Sequence, residues 1–370
     1  MASLHDLARL GQSIWLDFID RNLVTNGGLQ RLVDGGLTGV TTNPTIFQKA
    51  IGAGRDYDET IRELLEQNHA IDETGLCEAL MVEDVQMAAD VLRSVYDRTQ
   101  GRDGYVSLEV PPDLAFSVER TVSAAHRLRD AVQRPNVMIK VPGTAEGVRA
   151  FERLTAEGFN INVTLLFSVT RYEEVVRAWA RGLARNAKPE KIASVASFFV
   201  SRVDGKVDKK LDALGTPEAT RLRGRIAIAN AKVAYVRFRA LLAQPEIAEQ
   251  IKRGARPQRP LWASTSTKDP RYSDVMYVEQ LIGPDTVNTM PPSTIDAFRD
   301  HGEVARTVDA AFTVAERTIA ELGAVGVDLG DVTAKLLRDG LASFQKSFDS
   351  LIAGLERKSA ALGRDLVSSR

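Results

Sequence analysis

A lysine lies inside an otherwise apolar run, VMIKVPGT, which covers residues 137 to 144. A lysine ammonium is seldom fully buried unless it is paired or has a chemical role, because removal from water disfavours the charged form. An uncharged lysine amine forms a carbinolamine and then an imine with a ketone, and the iminium accepts the electrons of a breaking C–C bond. Lys140 is therefore a candidate Schiff-base nucleophile. The alternative is a lysine on an edge strand that snorkels to solvent or forms an ion pair.

Polar side chains near the ends of other apolar runs could supply the remaining chemistry. Asp17 and Glu109 each stand in or beside such a run. Two carboxyl groups can divide the proton transfers, one at a substrate hydroxyl and one, through a water held by Thr164, at the carbinolamine. The alternatives are structural, because Asp17 could pair with an arginine and Glu109 with Lys140. Asn43, which precedes a proline, could serve only as a helix cap. The other polar residues at late positions are Thr41, Asn162 and Ser197.

A candidate anion site follows the sixth apolar run. Ser201 and Arg202 open a helical pattern there, and helix N–H groups together with a guanidinium can hold a phosphate. Lys268, in the sequence STSTKDP, offers a second positive charge. The alternatives are an exposed ion pair between Arg202 and Asp204 and, for Lys268, an ordinary loop lysine.

The elements that must position these residues are eight short strand-like runs, each followed by apolar residues at helical spacing. Parallel strands need helix-length, right-handed connections, and the carboxyl ends of such strands form the chemical face of a barrel. The sequence therefore predicts an α/β fold, a (β/α)8 TIM-type barrel with extra helices. The predicted strands cover residues 13–19, 37–43, 105–110, 137–141, 160–167, 192–200, 260–265 and 285–290.

The whole chain, residues 1–370, is predicted to be one barrel domain, because no linker composition marks a second one. Helical insertions are expected at about 54–100 and 205–254, the first as two helices broken near Gly75, and a closing helix at about 331–362. A basic cluster before the seventh strand is predicted to be solvated surface. Its members are Lys252, Arg253, Arg256 and Arg259.

Composition excludes several functional classes. A net charge of −1 gives no footprint for nucleic acid or an anionic membrane. One cysteine rules out an internal disulfide framework, and the four histidines lack metal-ligand spacing, so neither a metal nor a cofactor is expected. The sequence contains no signal peptide, spanning helix, Walker A loop or GxGxxG motif. A cytoplasmic protein is therefore expected, and the sequence does not indicate an oligomeric state.

Three motifs together resemble the transaldolase family, in its long bacterial form: GVTTNPTIF at 39–47, VMIKVPGTAEG at 137–147 and INVTLLFS at 161–168. Their order matches that family from Asp17 to the eighth strand. The resemblance implies a Schiff-base transferase of the pentose phosphate pathway on a circularly permuted (β/α)8 barrel. Such an enzyme moves dihydroxyacetone from sedoheptulose 7-phosphate to glyceraldehyde 3-phosphate, giving erythrose 4-phosphate and fructose 6-phosphate.

The resemblance also implies residue roles. Lys140 matches the imine-forming lysine, Asp17 the acid/base at the C4 hydroxyl, and Glu109 with Thr164 the pair that handles the catalytic water. Arg202 matches the phosphate-binding arginine. The implied contacts to substrate hydroxyls are Thr41, Asn43, Asn162, Ser197 and Ser264.

Two positions bear on specificity. Where many relatives place a second phosphate-binding arginine, this sequence has Ser266, and we hypothesise that Lys268 replaces it. Related aldolases, which release free dihydroxyacetone, carry a tyrosine where Phe199 stands, so transfer is favoured over release. Two rival classes stay open: a non-covalent sugar-phosphate isomerase with Glu109 as base and Lys140 as electrophile, and a catalytically silent phosphosugar-binding barrel.

Overall fold

Eight parallel strands close into a barrel in the computed structural model of the chain, which describes residues 2–53 and 55–368. The strands follow one another in sequence order around the barrel, and the eighth pairs with the first. This confirms the predicted TIM-type α/β barrel. The strands are β1 (Gln12–Leu16), β2 (Gly39–Thr41), β3 (Tyr105–Glu109), β4 (Val137–Pro142), β5 (Ile161–Leu166), β6 (Ser194–Phe199), β7 (Arg259–Ala263) and β8 (Thr286–Met290).

Helices surround the barrel, so every strand residue is buried and the strands read as nearly continuous apolar runs. The helices are α1 (Leu4–Arg9), α2 (Arg21–Thr25), α3 (Gly28–Asp34), α4 (Pro44–Ala53), α5 (Asp58–Gln67), α6 (Glu73–Arg98), α7 (Val118–Val132), α8 (Ala145–Ala156), α9 (Val169–Ala184), α10 (Ser201–Leu214), α11 (Pro217–Thr220), α12 (Ile226–Leu241), α13 (Pro245–Lys252), α14 (Met276–Glu279), α15 (Pro292–His301), α16 (Phe312–Ala324) and α17 (Leu329–Ser368). Short 3-10 turns occupy Pro112–Leu114 and Pro189–Lys191.

The break between α5 and α6 occurs close to its predicted place near Gly75. It lies at residues 68–72, and Gly75 belongs to the first turn of α6. The reason is a helix cap, because the Asp72 carboxylate accepts a hydrogen bond of 2.7 Å from the Gly75 N–H. Gly75 therefore helps to begin α6, and the break ends three residues before it.

Strand register brings the polar residues together at the carboxyl ends. Glu109 on β3 lies directly beside Lys140 on β4, and Lys140 lies beside Asn162 on β5. The pairing of β1 with β8 continues one residue beyond β1, because the Asp17 N–H donates a hydrogen bond of 2.9 Å to the Met290 carbonyl. Residues from strands distant in sequence thus meet at one end of the barrel.

Backbone irregularities occur beside this end. The pairing of β5 with β6 shifts register between Val163 and Leu166, and Leu165 has a φ of 58°. Ser264, just after β7, has a φ of 57°. Left-handed backbone is costly for residues with a side chain and persists where the surrounding structure enforces it. Such features concentrate where side chains must be aimed at a site.

The opposite, amino-terminal end of the barrel is closed by a buried ion pair. Arg259, which is 7% exposed, lies 3.0 Å from the Asp103 carboxylate. Asp103 also accepts hydrogen bonds from Ser13 Oγ at 2.6 Å and Trp15 Nε1 at 3.1 Å. The prediction that Arg259 belongs to a solvated basic cluster is therefore wrong. Arg259 is the first residue of β7, and its partner Asp103 lies 156 residues earlier in the sequence.

The long helix α17 lies across the carboxyl ends of the strands, where it packs on α4, α5, α6 and α10. Ser347 and Thr45 form a hydrogen bond of 2.8 Å between their hydroxyl groups, and Asp339 pairs with Lys206 at 3.0 Å. At Gly340 the helix backbone approaches β5 closely, because an added Cβ would lie 2.9 Å from Leu165 Cδ2. The C-terminal helix is thus fastened at the mouth of the barrel.

Candidate active site

A cavity of about 410 Å³ opens at the carboxyl ends of the strands, beneath α17. It collects side chains from most strands of the barrel. Ten residues predicted from the sequence line it: Asp17, Thr41, Asn43, Lys140, Thr164, Ser197, Phe199, Arg202, Ser264 and Lys268. Glu109 and Asn162 are not among the lining residues, although both contact residues that are.

Lys140 is 4% exposed, so its amine is removed from bulk solvent while still facing the cavity. Its Nζ donates a hydrogen bond of 2.8 Å to the Thr42 carbonyl and lies 3.2 Å from Glu109 Oε2. The alternative of a snorkelling lysine on an edge strand is excluded, because β4 has a hydrogen-bonded neighbour on both sides. An ion pair with Glu109 does exist, and it places a proton donor or acceptor beside the amine.

The two carboxyl groups occupy environments that favour their neutral forms. Burial raises the pKa of Glu109 above its ordinary value, although the charge of Lys140 opposes the shift. Burial also raises the pKa of Asp17, against the lowering effects of Lys140, Arg202 and Lys268. A carboxyl group whose neutral form is favoured can donate a proton and later accept it back, as general acid/base catalysis requires. Asp17 forms no ion pair within the described residues, which leaves its carboxyl available to a ligand.

Two buried oxygens at this place have no aligned hydrogen-bond partner in the described structure. They are Glu109 Oε2 and Thr164 Oγ1. The Lys140 contact to Glu109 is an ion pair and not an aligned hydrogen bond, so the carboxylate retains acceptor capacity. An unsatisfied buried polar group costs stability and often marks a site that binds a ligand or water. The Thr164 residue lines the cavity and can meet a bound molecule there, whereas Glu109 Oε2 lies beside the Lys140 amine.

Asn162 lies inside the barrel, in a hydrogen-bonded chain. Its Nδ2 donates to Ser107 Oγ at 3.1 Å, and its Oδ1 accepts from Ser197 Oγ at 2.7 Å. Ser197 reaches the cavity, whereas Asn162 is fully buried. Asn43 has two functions at once, because its side-chain oxygen caps α4 through the Thr45 and Ile46 N–H groups while the residue lines the cavity.

Positive charge gathers at the β6–β7 side of the cavity. Arg202, in the first turn of α10, lies over the ring of Phe199 at 5.0 Å and over that of Phe344 at 5.8 Å. The expected alternative partner, Asp204, instead accepts hydrogen bonds from the Ala227 N–H and the Tyr277 hydroxyl. Burial lowers the pKa of Arg202, against the charges of the site carboxylates that raise it.

The loop after β7 adds further groups to this side of the cavity. Ser264 shares a hydrogen bond of 3.0 Å with Ser201, hydroxyl to hydroxyl, and its carbonyl accepts from the Ser201 N–H at 3.0 Å. Lys268 is exposed and lines both this cavity and an adjoining one of about 520 Å³. A neutral hydroxyl, a guanidinium and an ammonium thus converge where an anionic substrate group could bind.

Comparison with known proteins decides the family. The sequence profile described as "Transaldolase/Fructose-6-phosphate aldolase" matches residues 14–355. The chain belongs to the transaldolase/fructose-6-phosphate aldolase family. It is 45% identical to a transaldolase of Frankia alni over 98% of this chain and 99% of that protein. A transaldolase of Thiobacillus denitrificans is 43% identical over 94% and 98%, and one of Mycobacterium tuberculosis 45% identical over 95% and 95%. The resemblance stated from the motifs is confirmed.

Sequence reasoning missed several groups of this transaldolase-family cavity. Lys49 on α4 and Phe344 on α17 both line it, as does Thr289 on β8. Lys49 lies less than two turns beyond Asn43, so the capped start of α4 at the barrel mouth could have indicated it. No sequence pattern indicates which face of α17 meets the barrel, and Phe344 was therefore not foreseeable.

No cluster of three or more histidine, cysteine, aspartate or glutamate side chains suited to a metal ion occurs in the described part of the chain. Within residues 2–53 and 55–368, no helix combines the length and apolar character needed to cross a bilayer.

Proposed function

We propose that this protein transfers a dihydroxyacetone unit between ketose and aldose phosphates through an imine on Lys140. Transaldolase is the activity of the near-full-length relatives, which confirms the predicted class, a transferase. The observation that carries the mechanism is the Lys140 amine, buried at the base of a polar cavity, 3.2 Å from a carboxyl group whose pKa is raised by burial.

The residues divide the reaction as follows. The Lys140 amine attacks the C2 carbonyl of the ketose, and Glu109 with Thr164 assists loss of the carbinolamine hydroxyl as water. Asp17 takes the proton of the C4 hydroxyl while the C3–C4 bond breaks and its electron pair moves into the iminium. The aldose product leaves, and an enamine stays on Lys140. An incoming aldose then reacts at its aldehyde carbon, Asp17 returns a proton to the new hydroxyl, and water hydrolyses the imine.

The substrates are proposed to be sedoheptulose 7-phosphate and glyceraldehyde 3-phosphate, converted to erythrose 4-phosphate and fructose 6-phosphate. The positive groups at one side of the cavity support a phosphorylated substrate, and the hydroxyl and amide groups opposite support a polyol. Location in the cytoplasm and a place in the pentose phosphate pathway accord with such substrates.

Borohydride trapping tests the mechanism. Reduction in the presence of fructose 6-phosphate should attach a stable adduct to Lys140, identified by peptide mass mapping. Lys140→Arg should fold, as shown by an unchanged melting profile, but lose activity by a factor on the order of a thousand or more, because a guanidinium forms no imine. Turnover of wild-type protein without a trapped adduct would refute the imine and favour the non-covalent isomerase.

Release of free dihydroxyacetone is the alternative reaction of the family. Phe199 disfavours it, because a phenyl ring cannot hold a water to protonate the enamine. The ring instead packs on Phe167 at 5.2 Å and on Arg202 at 5.0 Å. The enamine should then persist until an aldose arrives. Dihydroxyacetone release from fructose 6-phosphate at a rate equal to transfer would reverse this assignment.

Lys268 is proposed as the second phosphate-binding cation, in place of the arginine that Ser266 replaces. Lys268→Ala should raise the KM for phosphorylated sugars roughly two- to fivefold, a modest change because the side chain is exposed. Lys209→Ala is the matched control, since Lys209 is also exposed but lines only the adjoining cavity. An unchanged KM in Lys268→Ala would refute the assignment.

A further inference from the structure

Within the described residues, the guanidinium of Arg202 contacts two aromatic rings and forms no ion pair. Its central carbon lies 5.0 Å from the ring centre of Phe199 and 5.8 Å from that of Phe344. Among the described residues no carboxylate lies within ion-pair distance of Arg202, and none of its N–H groups has an acceptor. A half-buried cation without an anionic partner is unusual, because burial of an unpaired charge is costly.

The aromatic contacts explain how Arg202 can be oriented and still unoccupied. A ring attracts a guanidinium through its π face, and this interaction uses none of the five N–H donors. A carboxylate partner would consume two of those donors in a bidentate contact. Ring contacts therefore hold the guanidinium beside the cavity while its donors are left to bind an anion there.

The two rings have different origins. Phe199 ends β6, in the rigid barrel wall, whereas Phe344 comes from α17 and is 3% exposed. Contacts one helical turn before Phe344 and one turn after it fix the position of the ring. Gly340, one turn earlier, lies against Leu165 and Arg202, and Ser347, one turn later, bonds Thr45.

We infer that Phe344 is a positioning residue that gives the site its selectivity for phosphorylated sugars. It acts through Arg202 and does not take part in bond making. The inference rests on the proposed function, in which Arg202 binds the substrate phosphate. It assigns the C-terminal helix a part in substrate selection.

The closing experiment compares Phe344→Leu with wild-type protein on fructose 6-phosphate and on fructose, which lacks the phosphate. Leucine keeps apolar volume but removes the π face. The KM for fructose 6-phosphate should rise roughly tenfold with kcat little changed, while kcat/KM for fructose stays the same. Phe344→Tyr, which retains a ring, should restore the wild-type KM. Phe238→Leu, a buried phenylalanine on α12 that does not line the cavity, is the matched control and should leave both substrates unaffected.

A double-mutant cycle separates positioning from structural damage. If Phe344 acts through Arg202, Phe344→Leu should raise the KM no further in an Arg202→Ala background. Three results would overturn the inference. They are KM increases of the two single variants that multiply in the double variant, an equal loss of kcat/KM on both sugars, and an unchanged KM for fructose 6-phosphate in Phe344→Leu. Phe344→Met serves in the same tests if the leucine variant fails to fold. Trapping on Lys140 in wild-type protein reports the proposed function separately, so failure of one proposal is distinguishable from failure of the other.

Discussion

Asp204 offers a quantitative test of the electrostatics beside the site. It is 1% exposed on α10, and its carboxylate accepts hydrogen bonds of 2.7 Å from the Ala227 N–H and 2.9 Å from the Tyr277 hydroxyl. Burial, reinforced by the nearby charge of Asp208, raises its pKa from 3.8 to about 7 in spite of these donors. Asp204→Asn removes the titration. The asparagine oxygen can accept from Ala227 while its amide group donates to the Tyr277 oxygen.

The direction of the pH effect follows from proton binding. Between about pH 4 and pH 7 the folded protein keeps the Asp204 proton and the unfolded chain does not, so stability falls as pH rises through this window. One pKa unit corresponds to about 1.4 kcal/mol. The difference between 3.8 and about 7 therefore amounts to at most about 4 kcal/mol of unfolding free energy lost by pH 7.5.

Urea unfolding at pH 5 and pH 7.5 measures this term. Other carboxyl groups also contribute to the total pH dependence, but they cancel when Asp204→Asn is compared with wild-type protein at each pH. The variant should gain stability relative to wild type as pH rises, by a few kcal/mol across the range. Asp349→Asn, on the solvent face of α17, supplies the baseline. If the difference in unfolding free energy between Asp204→Asn and wild type is the same at both pH values, the raised pKa of Asp204 is refuted.

Three further perturbations probe the scaffold and the site. Gly147→Ala should destabilise the protein by roughly 1–3 kcal/mol in urea unfolding, because the added Cβ would overlap the Pro142 carbonyl oxygen. Asp103→Ala should cost roughly 3–5 kcal/mol in the same assay, because it leaves Arg259 buried without its carboxylate. Thr164→Val should lower kcat while the melting temperature is unchanged or slightly higher, since the buried hydroxyl has no partner among the described residues.

Matched variants define the baseline for these changes. Gly323→Ala, where an added Cβ meets nothing within 4 Å, should be neutral or stabilising by up to about 1 kcal/mol. Asp90→Ala removes an exposed pair with Arg134 and should cost about 0–1 kcal/mol. Equal effects of Asp103→Ala and Asp90→Ala would contradict the role given to the buried pair. A Thr164→Val variant with wild-type kcat would contradict the part given to that hydroxyl.

The sequence predicts which polar side chains meet at the carboxyl ends of the strands, because aligned parallel strands place residues at equal depth side by side. Glu109 and Lys140 each occupy a late position of their strand, and parallel neighbours with aligned ends place such residues side by side. Parity along β5 indicates the face of a side chain but not its depth in the barrel. Asn162 and Thr164 share parity along the strand, yet Thr164 lines the cavity and Asn162 bonds Ser107 and Ser197 in the interior.

Contacts between distant segments were beyond such reasoning. The pairing of Arg259 with Asp103 spans 156 residues, and composition alone suggested a solvated cluster. The position of Phe344 depends on how α17 crosses the mouth, which the helical pattern of that segment leaves undetermined. The left-handed backbone of Leu165 and Ser264 is imposed by tertiary packing, because neither residue type favours it.

The hydrogen bond between the Asp17 amide and the Met290 carbonyl has a consequence for refolding. Asp17, the proposed acid/base group, belongs near the beginning of the chain and Met290 to the eighth strand, so Asp17 is fixed only when the two edges of the sheet meet. Contacts of such high sequence separation form slowly, since the chain entropy of the intervening loop must be lost first. After dilution from denaturant, catalytic activity should therefore return later than the helical circular dichroism signal. The delay would report the pairing of β1 with β8 that closes the barrel.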